Sequence, residues 1–133
     1  MTILRATARQ LENFRHDIRV RSHTLTSDEP KDHGGDDSGP SPQELLAASL
    51  AACTAITIEM YAKRKGWNVS GMTVDCEYSP AERGCPTRFG IVLKIPAHLS
   101  DEQVERLQVI ATKCPVHRTL EGEVAFAERV ELV

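Results

Sequence analysis

A single stretch limits what this chain can become. Ser41 to Lys65, SPQELLAASLAACTAITIEMYAKRK, reads as one long helix. Ser41 stands at the N-cap position, Pro42 at the first helical position and Glu44 at the third, the pattern of a capping box. Lys63, Arg64 and Lys65 fill the last turn, where cations meet the negative end of the helix dipole. Gly66 follows where a left-handed cap belongs. At about 1.5 Å per residue the rod is on the order of 37 Å long. From Leu45 to Ile58 the only polar side chains are Ser49, Thr54 and Thr57. This half is apolar nearly all round and is expected to be wrapped by protein on most sides. A chain of 133 residues can hardly bury such a rod alone, which predicts a second subunit as its cover.

The length suits one domain over residues 1–133. Hydrophobic residues make up 41% and aromatics 5%, so the core is expected to be aliphatic. The net charge is -3 and no basic stripe is visible, which argues against nucleic acid as a partner. No unbroken apolar run of about 18 residues occurs, so no membrane span is expected. The first residues, MTILRATARQLENFR, lack a secretory apolar region. The expected location is the cytoplasm, where four cysteines are reduced, catalytic or metal-bound more often than paired as structural disulfides.

Period-two alternation marks an N-terminal antiparallel meander. Leu4, Ala6 and Ala8 alternate with Arg5, Thr7 and Arg9; Phe14, His16, Ile18 and Val20 alternate with Arg15, Asp17, Arg19 and Arg21. His23 to Ser27 reads as a third short strand. Asp28 to Pro40 is dense in Gly, Pro and Asp and reads as a hydrated loop, with no metal-ligand spacing at His33 and its aspartates. Beyond the long helix, Met72, Val74, Cys76 and Tyr78 alternate with polar residues, and Phe89, Ile91, Leu93 and Ile95 follow a Pro- and Gly-bearing turn; the two runs read as a hairpin. Ser100 and Gln103 make a second capping-box pattern, opening a helix with Val104, Leu107, Ile110, Ala111 and Cys114 on one stripe. Pro115 ends or resets that helix, Val116 to Leu120 reads as a turn, and Glu123 to Val133 as a last strand.

Cys114 closes the apolar stripe of the second helix, and the surface that stripe must pack on is the helix carrying Cys53. Two thiols distant in sequence thus belong on facing surfaces. Residues and spacing leave two readings open: small buried hydrophobes, or a redox pair.

The segments RSHTLTSDEPKDHGGDDSGPSPQELLAASLAACTAITIEMYAKRKGW and KCPVHRTLEGEV resemble the OsmC/Ohr family, in its broad OsmC-like branch. The order of elements is similar too: a meander, a Gly-Pro loop, a long helix with a cysteine, a hairpin, and a helix ending in Cys-Pro. The resemblance implies an α+β fold in which antiparallel strands pack around the central Cys-bearing helix and a second helix, built as an intertwined homodimer. It implies a thiol-dependent peroxidase favouring organic hydroperoxides. Carried over by motif, Cys53 is the peroxidatic thiol and Cys114 the resolving one. The implied cycle runs from thiolate through sulfenic acid to disulfide, with regeneration by a dithiol donor of lipoyl-protein or thioredoxin-like kind. No metal, flavin or haem is required.

A thiol with a pKa of about 8.5 needs a cation nearby to ionise at neutral pH. The resemblance implies an arginine from the N-terminal strands, held by a glutamate directly after the helix-start proline. Here Gln43 follows Pro42, and Glu44 comes one residue later. At about 100° per residue, Glu44 lies roughly opposite Cys53 and Gln43 roughly 80° from it. Arg15 is the first choice of cation; Arg19, Arg21 and Arg118 are the others. The expected pocket is apolar, from Leu46, Leu50, Ala52 and Ile56. Cys76 is expected in the core and Cys85 exposed in a turn.

Three rivals stand beside this reading. One is a non-catalytic protein of the same fold that holds a small apolar ligand in the dimer cleft; the Gln43 departure favours it. A second is a zinc site built on Cys114 and His117, with Cys76 or Cys85, although only one close ligand pair is visible. A Cys–His hydrolase centred on Cys53 finds no base near it in sequence.

Overall fold

The computed structural model describes residues 2–133. The chain forms two compact units, the first ending at Ala48 and the second running from Ser49 to Val133.

In the first unit, β1 (Thr7–Gln10), β2 (His16–Val20) and β3 (His23–Ser27) form an antiparallel meander in that order. Register sets Ala8 beside Ile18 and Ile18 beside Leu25, so alternate residues share one face. The β1–β2 turn is closed by the Leu11 N–H to the Arg15 carbonyl at 3.0 Å and the Arg15 N–H to the Glu12 carbonyl at 2.9 Å. The loop after β3 is tied down by Asp28, whose side chain is buried. Its carboxylate accepts from Ser38 Oγ at 2.6 Å, the Ser38 N–H at 3.1 Å and the Glu29 N–H at 2.7 Å. At Gly35 a Cβ would stand 1.9 Å from the Glu29 carbonyl oxygen, so the loop closes there only on glycine.

The long helix α1 (Pro42–Lys65) begins in this unit and continues into the second. Its capping box forms as the sequence predicts. The Glu44 N–H donates to Ser41 Oγ at 3.2 Å, and the Ser41 N–H donates to Glu44 Oε1 at 2.9 Å. At the other end Gly66 takes φ 71°. The Gly66 N–H reaches the Lys63 carbonyl and the Trp67 N–H the Ala62 carbonyl, the double closure of a Schellman motif.

The second unit adds β4 (Thr73–Ser79) and β5 (Arg88–Lys94), an antiparallel hairpin, then α2 (Asp101–Ala111) and α3 (Pro115–Glu121). The α2 capping box of Ser100 and Gln103 is present. Ile58 and Ala62 of α1 pack with Leu107 and Ala111 of α2, joined by Val69 and Leu99, and Leu93 and Val104 press on the cluster. This core is aliphatic, as the composition implies.

Three local expectations differ from what forms. Val116 to Leu120 belongs to a helix, α3, because Pro115 starts a helix at its first position instead of merely stopping one. Glu123 to Val133 forms no strand. Its alternate residues Val124, Phe126, Val130 and Leu132 are exposed, and a strand needs a neighbour to pair its N–H and C=O groups. Finally, Cys114 does not continue the stripe of the second helix: α2 ends at Ala111, and Cys114 is extended and caps α3. As expected of so short a chain, α1 is left unwrapped on most sides by the chain alone. Its buried residues Leu50, Thr54, Ile58 and Ala62 make a single stripe at i, i+4 spacing. Ile56 and Met60 stay exposed. By length and composition α1 is apolar enough to cross a bilayer, with mean hydropathy 1.6 over 18 residues. Counting unbroken apolar runs misses this, because Ser49, Thr54 and Thr57 interrupt the run without lowering the average much. A core helix meets the same criterion, and the Ile58–Ala62 end of α1 is in the core.

Candidate active site

Cys53 and Cys114 both lie in the second unit, and the structure brings them together. Helix α1 presents Cys53, half-buried, beside the stripe that contains Thr54. Cys114 is fully buried and is the N-cap of α3. Its Sγ accepts from the His117 N–H at 3.3 Å, so a sulfur does the work a serine or aspartate oxygen does at other helix starts. Thr54 Oγ1 lies 3.8 Å from the same sulfur.

The Cys53 thiol feels four influences besides its own chemistry. Burial raises its pKa above the ordinary thiol value, and this is the largest cause; the Val116 N–H pulls it down; the Cys114 thiol raises it; the Thr57 hydroxyl lowers it. The net direction is upward, and no cation is among the leading causes. The first turn of α3 thus lies beside both sulfurs: the His117 N–H donates to Cys114, and the Val116 N–H is near enough to lower the Cys53 thiol. Both thiols are unpaired.

His117 carries the next functional group along that turn. Its Nε2 pairs with the Glu121 carboxylate, one helical turn on. Its Nδ1 is buried with no hydrogen-bond partner. The ring borders a cavity of about 300 Å³ lined by Leu50, Thr87, Phe89, Ile91, Leu120 and Glu121. Of the four residues expected to line an apolar pocket, Leu50 is buried and borders this cavity. Leu46 is half-buried, and Ala52 and Ile56 are exposed.

Of the remaining sequence candidates, Arg15, Arg19, Arg21, Gln43 and Glu44 fall in the first unit, and Cys76, Cys85 and Arg118 in the second. Arg15 sits at the end of the β1–β2 turn, half-buried, with its Nε buried and without a partner. Gln43 and Glu44 are exposed on the first turn of α1. The Glu44 carboxylate is held below its usual range, chiefly by the Ser41 N–H and then by the Ser41 hydroxyl. Its structural duty is the cap. Arg19, Arg21 and Arg118 are exposed, and Arg21 occupies a left-handed turn position at φ 54°. Cys76 is half-buried on β4, and burial raises its thiol; Cys85 is exposed. Among the described residues no three His, Cys, Asp or Glu side chains cluster as metal ligands. The Cys-x-x-His spacing serves the start of α3 instead. Sequence reasoning took His117 only as a metal ligand and passed over Glu121; the His117–Glu121 spacing of i, i+4 was the available signal.

The OsmC-like protein family model matches residues 35–129, which include the whole Cys53–Cys114 pair. No curated protein matches the chain. Solved structures do. A protein from Psychrobacter arcticus 273-4, assigned to osmotic stress induction and detoxification, superposes with a TM-score of 0.77 at 22% identity, over 90% of this chain and 89% of that one. An OsmC-like protein from Mycoplasma pneumoniae gives 0.76 at 21% identity, over 91% and 89%. An organic hydroperoxide resistance protein, OsmC, from Legionella pneumophila gives 0.67 at 23% identity, over 92% and 91%. The shared architecture is the mixed α+β fold with antiparallel strands expected from the sequence. By the span of the family match and the agreement in fold, the chain belongs to the OsmC family.

Proposed function

We propose that this protein is a thiol-dependent peroxidase that reduces organic hydroperoxides through Cys53 and Cys114. The observation that carries this reading is the meeting of the two thiols at the start of α3, where Cys114 is the N-cap and Cys53 lies beside the same turn. Cys53 as thiolate attacks the terminal peroxide oxygen. The O–O bond breaks, the alkoxide leaves and takes a proton as alcohol, and Cys53 becomes a sulfenic acid. Cys114 attacks that sulfur and water departs, leaving a disulfide. A dithiol donor restores both thiols by exchange. The apolar lining beside His117 suits a substrate with a hydrocarbon body over hydrogen peroxide. A relative at 23% identity is named for organic hydroperoxide resistance, which agrees with this reading.

Burial works against the thiolate at Cys53, so the reaction needs a cation. Arg15 is our candidate, supported by its buried and unpartnered Nε; Gln43 and Glu44 are its candidate orienting groups. A homodimer is proposed as the working form, because α1 leaves Ile56 and Met60 uncovered and the segment 123–133 leaves its apolar residues unpaired. The proposed setting is a reducing compartment such as the cytoplasm.

The test is consumption of cumene hydroperoxide with dihydrolipoamide or dithiothreitol as donor. The native chain is expected to turn over. Cys53→Ser is expected to lose activity by a factor of at least about a hundred, and Cys114→Ser to stop after one equivalent when the donor cannot reduce a sulfenic acid. Undiminished turnover in Cys53→Ser contradicts the proposal. The raised thiol, with no cation among its leading influences, favours a second reading, a ligand-holding protein of the same fold. No turnover with any dithiol donor supports that one.

A further inference from the structure

The peroxidase reading leaves one half-buried titratable group without a task. His117 has its Nε2 committed to the Glu121 carboxylate, and its Nδ1 is buried and has no partner. A carboxylate only accepts, so the Nε2 carries the hydrogen. In the neutral ring Nδ1 then holds a lone pair. A buried acceptor with nothing to accept from is uncommon in native proteins and marks a site that works on something.

Its place in the fold says on what. Cys114 is the N-cap of α3 and His117 its third helical residue, so both side chains spring from one turn. The His117 N–H already contacts the Cys114 sulfur at 3.3 Å. Cys114 is wholly buried, so its proton has no direct route to solvent. Resolution of a sulfenic acid requires that proton to leave. Of the residues around the His117 cavity, Leu50 from α1, Thr87, Phe89 and Ile91 from the hairpin, and Leu120 from α3 do not titrate; Glu121 alone does.

We infer that His117 Nδ1 is the base that takes the Cys114 thiol proton during disulfide formation, with Glu121 as the positioning residue that fixes the ring. The inference rests on the reading of Cys114 as the resolving thiol. In the peroxide cycle the proton passes from Cys114 sulfur to Nδ1, the Cys114 thiolate attacks the Cys53 sulfur, the S–OH bond breaks, and the departing hydroxide takes the proton from the imidazolium to leave as water. No further oxidant or reductant enters this step.

The experiment bypasses the peroxide. In a Cys76→Ser, Cys85→Ser background, one equivalent of dithiobis(nitrobenzoate) labels Cys53 and releases one thionitrobenzoate. Attack by Cys114 then releases a second, and the absorbance of this second phase reads the resolving step alone. This leaving group departs as a thiolate, so only removal of the Cys114 proton is tested. His117→Gln keeps a donor for Glu121 but has no basic nitrogen. It is expected to slow the second phase at least about tenfold at pH 7 and to remove the low-pH inflection of its pH profile. Glu121→Gln, at an exposed side chain, is expected to slow it several-fold; it decides the matter should His117→Gln fail to fold. A second phase of native rate and pH profile in the variant that folds overturns the inference. So does a native background with no second phase. A normal second phase without peroxide turnover would instead sink the peroxidase reading and leave His117 in its place.

Discussion

Thr54 Oγ1 stands 3.8 Å from Cys114 Sγ, on the residue next to Cys53 along α1. The same hydroxyl donates to the Leu50 carbonyl at 2.8 Å. With its proton committed there, its lone pairs face the thiol and accept from it. Thr54→Val keeps the shape and removes the acceptor. Denaturant unfolding of the reduced protein is expected to show a loss of about 1 kcal/mol, with the Cys53–Cys114 disulfide still able to form. An unchanged midpoint would mean that the contact contributes nothing.

The pH dependence of peroxide reduction separates burial from its proposed compensation. Burial holds the Cys53 thiol above its ordinary value, and a guanidinium beside it acts in the opposite direction. In Arg15→Ala, kcat/KM at pH 7 is expected to fall about tenfold or more. It should still climb about tenfold per pH unit at pH 9, because only the thiolate reacts. Arg15→Lys should recover part of the loss. A variant with the native profile removes Arg15 from the account.

Thiol labelling by iodoacetamide should follow exposure and pKa together. Cys85, exposed, is expected to react before Cys76, which burial raises; Cys114, fully buried, last. The stability consequence has a definite sign. A thiol whose folded pKa lies above its unfolded value near 9.0 stabilises fully below that pH and loses the contribution as pH rises toward the folded value. Urea midpoints of the native chain are therefore expected to drop above pH 9, and less so in Cys76→Ser.

One backbone device and one core side chain carry measurable weight. Gly66 at φ 71° closes α1, and Gly66→Ala is expected to cost about 1 kcal/mol, the penalty of placing a Cβ in the left-handed region. Leu107→Ala empties the middle of the core and is expected to cost about 2–5 kcal/mol. Thermal melts that rank the two in the opposite order would contradict this description of the core.

Much of this was legible because it is local. Ser41 with Glu44, Ser100 with Gln103, and Gly66 after the lysines specify helix ends through atoms a few residues apart. The nearness of Cys114 to α1 was legible, although not through the stripe of the second helix: α2 ends at Ala111, and Cys114 reaches α1 as the N-cap of α3. The failures are non-local. Residues 123–133 have a strand's alternation but no strand beside them. His117 reaches the Cys114 sulfur through its backbone N–H, which no side-chain pattern reveals. Whether Arg15 serves Cys53 depends on more than the order of residues, which is why it rests on a variant.

The central claim is that Cys53 and Cys114 exchange electrons with a hydroperoxide. The most direct measurement treats the reduced protein with one equivalent of cumene hydroperoxide and maps its cysteines by peptide mass spectrometry. The account predicts one dominant product, the Cys53 and Cys114 peptides joined by a disulfide, with Cys76 and Cys85 still alkylatable. Oxidation confined to Cys85, or spread over all four cysteines without that linkage, would contradict it.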